Sequence, residues 1–122
     1  MTIERLFDYR ETVGHYFGQK ALYVDTVRYE SHHGEESGHV RFLLYGSFVF
    51  GFGFPGAQFS SLSCFFQVSD SVSTTEFCGK DHTFIENNLE ALEEAFSDVD
   101  RFCRLRLPEK FLLDLESRSN NI

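Results

Sequence analysis

From residue 48 to residue 54 every second position is Phe, and the positions between are Val49, Gly51 and Gly53. A period of two puts alternate side chains on one face of a β-strand. Phe48, Phe50, Phe52 and Phe54 therefore line one side, and the other side is nearly bare. This strand marks the centre of the fold. Residues 40–54 form an apolar stretch too long for one ordinary strand, so Gly46-Ser47 reads as a bulge or bend within it and Pro55-Gly56 as its end. Residues 59–69 alternate again. Leu62, Cys64, Phe66 and Val68 face one way and Ser61, Ser63, Gln67 and Ser69 the other, the pattern of a half-buried antiparallel strand. Asp70-Ser71 turns the chain into a weaker strand over 72–78.

On the N-terminal side the period changes. Ile3, Leu6, Phe7, Val13, Tyr16 and Phe17 fall near one face at helical spacing, which predicts a helix over 2–17. Thr2 is the candidate N-cap and Gly18 the stop, because Gly accepts the left-handed conformation beyond a helix end. Residues 21–30 are rich in β-branched and aromatic types and predict a strand. Residues 31–39 hold no apolar side chain and read as a loop.

On the C-terminal side, Thr83-Phe84-Ile85-Glu86 fits a capping box, in which hydroxyl and carboxylate satisfy free N–H groups reciprocally. Ile85, Leu89, Leu92, Phe96, Val99 and Cys103 then make a narrow apolar stripe at steps of four and three. A long helix from Thr83 is expected. Pro108 ends it, residues 109–115 form a short final helix, and residues 116–122 form a frayed tail. The expected fold is α+β in two layers: an N-terminal helix, an antiparallel sheet of about four strands, a long C-terminal helix and a short final helix. Length fits one domain over residues 1–122.

Composition narrows the function. Phe occurs 15 times and Trp not at all, so rings are available for contact as well as for a core. The formal net charge is −8, from 11 basic and 19 acidic residues. Such a chain is repelled by nucleic acid and anionic lipid and attracted to a basic protein. Cys64, Cys78 and Cys103 are odd in number and widely spaced, which speaks against a disulfide framework or a zinc site. No signal-peptide stretch and no membrane-span length is seen. A reduced, cytoplasmic protein is the expectation.

Chemical motifs are weak. Gly51-Phe-Gly53-Phe-Pro-Gly56 has the letters of a dinucleotide loop, but Pro55 and an alternating strand follow where a helix N-terminus is required. His32, His33 and His39 share a polar loop with Glu35 and Glu36, at a spacing that matches no standard metal site. Cys78, Asp81 and His82 sit at a strand-to-helix junction, where a helix start would activate a thiol, yet adjacency in sequence says little about geometry. His15 reads as a partly buried, hydrogen-bonded residue of the first helix. No cofactor, metal or catalytic set is expected.

The remaining signal is charge. Glu86, Glu90, Glu93, Glu94, Asp98 and Asp100 spread over the expected solvent side of residues 83–100, with Glu35 and Glu36 as a second acidic patch. A single-sign face is compensated by a cationic partner, which it attracts and orients. The expectation is a small acidic protein-binding inhibitor of bacterial type: an immunity protein or antitoxin that blocks a basic, nuclease-type toxin by occluding its active site. Alternatives are a type III secretion chaperone, commonly a homodimer, and a small ligand-binding or enzymatic domain with a pocket between sheet and helix.

Overall fold

The structure, a computed structural model, describes residues 3–29, 37–54 and 61–120. Helix α1 (Leu6–Phe17) and a single 3-10 turn (Gly18–Lys20) precede strands β1 (Ala21–Arg28), β2 (Gly38–Leu44), β3 (Phe48–Gly53), β4 (Ser61–Ser69) and β5 (Val72–Thr74). A hairpin of β6 (Glu76–Phe77) and β7 (Lys80–Asp81), then β8 (Ile85–Glu86), lead into α2 (Leu89–Arg106) and α3 (Glu109–Asn120). Strands β1 to β5 pair antiparallel in chain order, and β8 joins the far edge of β4, making a six-stranded sheet. The α+β reading holds, with six strands in the sheet against the four expected, because the apolar stretch over 40–54 divides into β2 and β3 and because β8 is too short to leave a periodic signal.

The Phe-rich strand is central, as its pattern predicts. Phe50 pairs with Phe42 on one side and Phe66 on the other. Phe50, Phe52 and Phe54 are buried and Phe48 is partly so. The rings meet α2 edge-on, Phe52 against Phe96 at 5.4 Å and Phe50 against Phe102 at 5.5 Å between centroids. Phe102, absent from the expected stripe, widens the buried side of α2 beyond one narrow seam. From α1, Tyr9 lies 5.9 Å from both Phe52 and Phe54 and donates its hydroxyl to the Gly53 carbonyl at 2.8 Å. Edge-on rings at such distances are favourable beyond the area they bury.

The bare side of β3 is filled from within the chain. A Cβ at Gly51 would stand 2.0 Å from the Phe65 ring, and one at Gly53 would stand 2.3 Å from the Gly38 carbonyl oxygen. The glycines therefore admit a neighbouring ring and a neighbouring strand of the same chain.

Several local expectations are corrected. Helix α1 starts at Leu6, with Arg5 at the N-cap, and Thr2 lies outside the described residues. The Asp8 carboxylate instead accepts the free amides of Glu4 and Arg5 at 3.0 and 2.9 Å. Gly18 does end the helix, at φ +62°. The bend at Gly46-Ser47 is a full hairpin: Tyr45 and Gly46 are both left-handed, at φ 56° and 64°, and Ser47 N–H donates to Leu44 at 3.1 Å. Two adjacent left-handed residues match the twist that tight hairpins need. Val68 turns outward, because β4 is irregular between Gln67 and Ser69.

Thr83 does not start α2. Its hydroxyl bonds Asp81 and Thr75 at 2.6 and 3.0 Å, and Ile85 pairs with Leu62 as part of β8. The cap is Asn88, whose side chain accepts from Ala91 N–H at 2.8 Å. The final helix runs on to Asn120, so residues 116–120 are helical rather than frayed. Leu112 and Leu115 pack against the core, and Arg104 bridges Glu116 at 2.8 Å. Among the described residues no helix is long and apolar enough to cross a membrane.

Candidate functional site

Helix α2 carries five of the predicted acidic residues, and the chain treats them differently. Its buried side is set by Leu92, Phe96, Val99 and Cys103. Positions one residue away from that side sit at the boundary between core and solvent, and there neighbouring elements decide.

Asp98 is drawn inward. Its side chain is only 13% exposed, lies 3.1 Å from His82 Nε2 and forms an ion pair with Lys80 at 3.7 Å. His82 is buried, stacked flat on Phe77 at 3.9 Å, with Nδ1 3.2 Å from the Thr75 carbonyl. The Cys78 thiol donates to the Asp98 backbone carbonyl at 3.2 Å. Cys78, His82 and Asp98 do come together, but both imidazole nitrogens are held by oxygen atoms rather than by the thiol. Asp81 is turned towards Thr83, and its pKa lies below the ordinary value because the Thr83 and Thr75 hydroxyls stabilise the carboxylate. The group ties the β6–β7 hairpin to α2.

Asp100 is also engaged. It accepts the Tyr45 hydroxyl, and Arg104 Nε donates to it at 2.9 Å. Burial first, and then the Asp100 carboxylate, push the Tyr45 phenol up. The same two causes push the Cys103 thiol up to about 12, as suits a core cysteine. Cys64 is buried too and is likewise shifted upward by burial. Asp98 and Asp100 are thus removed from the predicted solvent-side patch. Glu94 is exposed but bridged to Lys80 at 2.8 Å, and Glu86 stands on β8, not on a helix, where it accepts from Asn88 Nδ2 at 3.1 Å.

Glu90 and Glu93 remain open on the first two turns of α2. Glu93 lies on the lip of a groove of about 440 Å³ between α1 and α2. From α1 come Glu11, Thr12, His15 and Tyr16, at steps that keep them on one side of the helix; from α2 come Leu89, Glu93 and Phe96. Phe96 and Thr12 are buried and form its floor, while Tyr16 and Leu89, 43% and 40% exposed, wall it. Glu11, His15 and Glu93 are the exposed rim, so His15 is not the partly buried residue expected. No Lys or Arg lines the groove. Burial first, then the Asp100 and Glu93 carboxylates, push the Tyr16 phenol up, a sign of the negative field across this wall. Glu11, Thr12 and Tyr16 escaped sequence reasoning. Their helical spacing was legible, but only the packing of α1 beside α2 shows that they face Leu89 and Phe96.

The other motifs fall elsewhere. His39 belongs to β2, not to the loop: its Nδ1 meets the Tyr29 hydroxyl at 2.6 Å, its ring stands edge-on to Phe65 at 5.1 Å, and burial lowers its pKa. His32, His33, Glu35, Glu36, Pro55 and Gly56 lie outside the described residues. Among the described residues no three His, Cys, Asp or Glu are grouped to hold a metal ion. On the open side of the sheet Arg41 donates to Asp25 at 2.7 Å and to Gln67 at 2.9 Å, and this contact holds the Asp25 carboxyl below its usual range.

Comparison with family models, with curated proteins and with solved structures finds no match for this chain.

Proposed function

We propose that this chain is a small acidic inhibitor of a basic protein partner, of the immunity-protein or antitoxin type, acting by occlusion in the cytoplasm. One observation carries the reading: the α1–α2 groove joins an apolar floor to a rim that holds the Glu11 and Glu93 carboxylates with His15, with Glu90 beside it on α2 and no Lys or Arg among its lining residues. Aromatic and aliphatic surface ringed by charge is the composition of an interface with a strong centre. Carboxylates in this position would stand in for the phosphates of a nuclease substrate. Of the predicted patch, Glu90 and Glu93 carry the reading; Glu94 and Glu86 flank it, and Asp98 and Asp100 serve the fold.

A tagged chain should capture a basic protein from the cells that make it, and the complex should weaken as salt is raised. The double variant Glu90→Lys, Glu93→Lys should stay folded and associate at least tenfold more slowly, as expected when steering charges are reversed. An unchanged association rate would remove the basis for an electrostatic inhibitor.

A ligand-binding domain is the second reading, favoured by the groove's size. Small-molecule sites are mostly apolar, with a few placed polar groups and volumes of roughly 300–1,000 Å³. Here the ligand would be a small amine, and a captured protein would be absent.

A further inference from the structure

We infer that the α1–α2 groove receives an arginine side chain of the partner, its guanidinium held by the Glu11 and Glu93 carboxylates against the Tyr16 ring. The inference rests on the inhibitor reading in one respect, that the arginine belongs to a basic protein.

The groove asks for a cation with an apolar stem. Leu89 offers exposed hydrocarbon above the buried Phe96, Tyr16 a half-exposed ring, and Glu11 and Glu93 two acceptors from opposite helices, with His15 beside them on the rim. Lysine would place a compact, strongly hydrated ammonium beside an aromatic wall. Arginine presents a planar and more weakly hydrated group, which stacks on rings and reaches two acceptors at once. This protein already uses that contact: Arg10 stacks 3.9 Å from the Tyr23 centroid and Arg106 3.6 Å from the Phe102 centroid. None of its described Lys or Arg side chains lines the groove. A volume of about 440 Å³ takes an arginine together with part of the backbone that carries it.

The test uses nitrogen-15 NMR of the full chain, with acetyl-arginine amide as probe and acetyl-citrulline amide as its uncharged isostere. The arginine probe should shift the amides of Thr12, Tyr16, Leu89 and Phe96, and the citrulline probe should not. Glu11→Gln and Glu93→Gln, both at exposed positions, should each weaken the probe by about fivefold, the upper range for one solvent-accessible ion pair. Leu89→Arg places a tethered guanidinium in the wall and should exclude the probe. Equal shifts with citrulline, shifts centred elsewhere, or indifference to both Gln variants would overturn the inference.

The two readings fail separately. If the groove binds the arginine probe but no basic protein is captured, the arginine site stands and the inhibitor reading falls. If a basic partner is captured and its affinity ignores Glu11→Gln and Glu93→Gln while responding to Glu90→Lys, the inhibitor stands and the arginine site falls.

Discussion

The two halves of α2 carry the same kind of side chain and put it to opposite uses. Glu90 and Glu93, on the early turns, face solvent, and Glu93 reaches the groove. Asp98 and Asp100, one to two turns later, are held by His82, Lys80, Tyr45 and Arg104. The difference does not lie in the helix. It lies in what the rest of the chain delivers beside it: the β6–β7 hairpin at Asp98, the β2–β3 turn at Asp100, and only the neighbouring helix α1 at Glu93. Side-chain length contributes. The shorter aspartates hold their carboxylates close to the backbone, where buried partners can reach them, and the glutamates extend past the boundary. A row of acids on a helix is therefore two systems, one tied into the fold and one left open to solvent.

The strongest way to break this comparison is to remove one acid from each half. Asp98→Ala leaves His82 Nε2 buried without its acceptor and Lys80 without one of its two partners. Orphaning a buried polar group costs about 2 kcal/mol, which at roughly 4 °C per kcal/mol lowers the melting temperature by about 8 °C. Glu90→Ala should move it by no more than a tenth of that. Calorimetry on the two variants decides: equal losses would mean that the early acids are structural too.

Next in size is Tyr45. Its backbone is left-handed at φ 56°, a conformation that costs a bulky residue on the order of 1 kcal/mol or more. The position is kept because the ring is buried and the hydroxyl is bonded to Asp100, with the Arg104 guanidinium 5.8 Å from the ring centroid. Tyr45→Phe keeps the ring and the strain but removes the donor, and should cost about 1 kcal/mol in a denaturant melt. In an Asp100→Asn background the same change should cost clearly less, because the two groups form one contact. Additive losses would show that Tyr45 and Asp100 act independently.

This division was only half legible in the amino-acid order. The centre of the sheet was readable because alternating Phe can satisfy only one geometry: a ring at every second position is a strand with one buried face. The start of α2 was misread for a physical reason. Thr83 to Glu86 has every letter of a capping box, but Ile85 gains more by pairing with Leu62 and Thr83 by bonding Asp81, so the local signal loses to tertiary contacts. The fate of Asp98 and Asp100 was beyond reach, because their partners come from positions 80, 82 and 45 and only the fold brings these together. Phe102 was missed because a seam of fours and threes describes a helix touching one neighbour. This helix touches both the sheet and the β6–β7 hairpin, where Phe102 meets Phe77 at 6.0 Å.

Smaller in stability, but decisive for the binding half, are the groove acids. Glu11→Gln and Glu93→Gln should each change stability by less than about 0.5 kcal/mol, the usual range for exposed positions without special partners. A slight gain is the expected sign, since each removes one negative charge from a chain of net charge −8. A loss comparable to that of Asp98→Ala would place Glu93 in the structural system and erase the distinction.

The finest probe is Tyr16, a group that feels both halves of α2. Its phenol is raised by burial, and then by Asp100 and Glu93. A phenol raised in the folded state favours the neutral form. Its contribution is fully present below the unfolded phenol pKa, near 10, and is lost as pH rises through the higher folded value. Ultraviolet titration of Tyr16, resolved by subtracting a Tyr16→Phe variant, should show the midpoint fall in Glu93→Gln and fall again in Asp100→Asn, while staying above the ordinary value because burial, the largest cause, persists. The two changes should differ in their side effects. Asp100→Asn disturbs the Tyr45 contact and therefore also lowers stability at neutral pH, whereas Glu93→Gln does not lower it. A Tyr16 midpoint indifferent to Glu93→Gln would mean that the groove's wall does not feel its rim, and a cation bound there would gain little from that carboxylate.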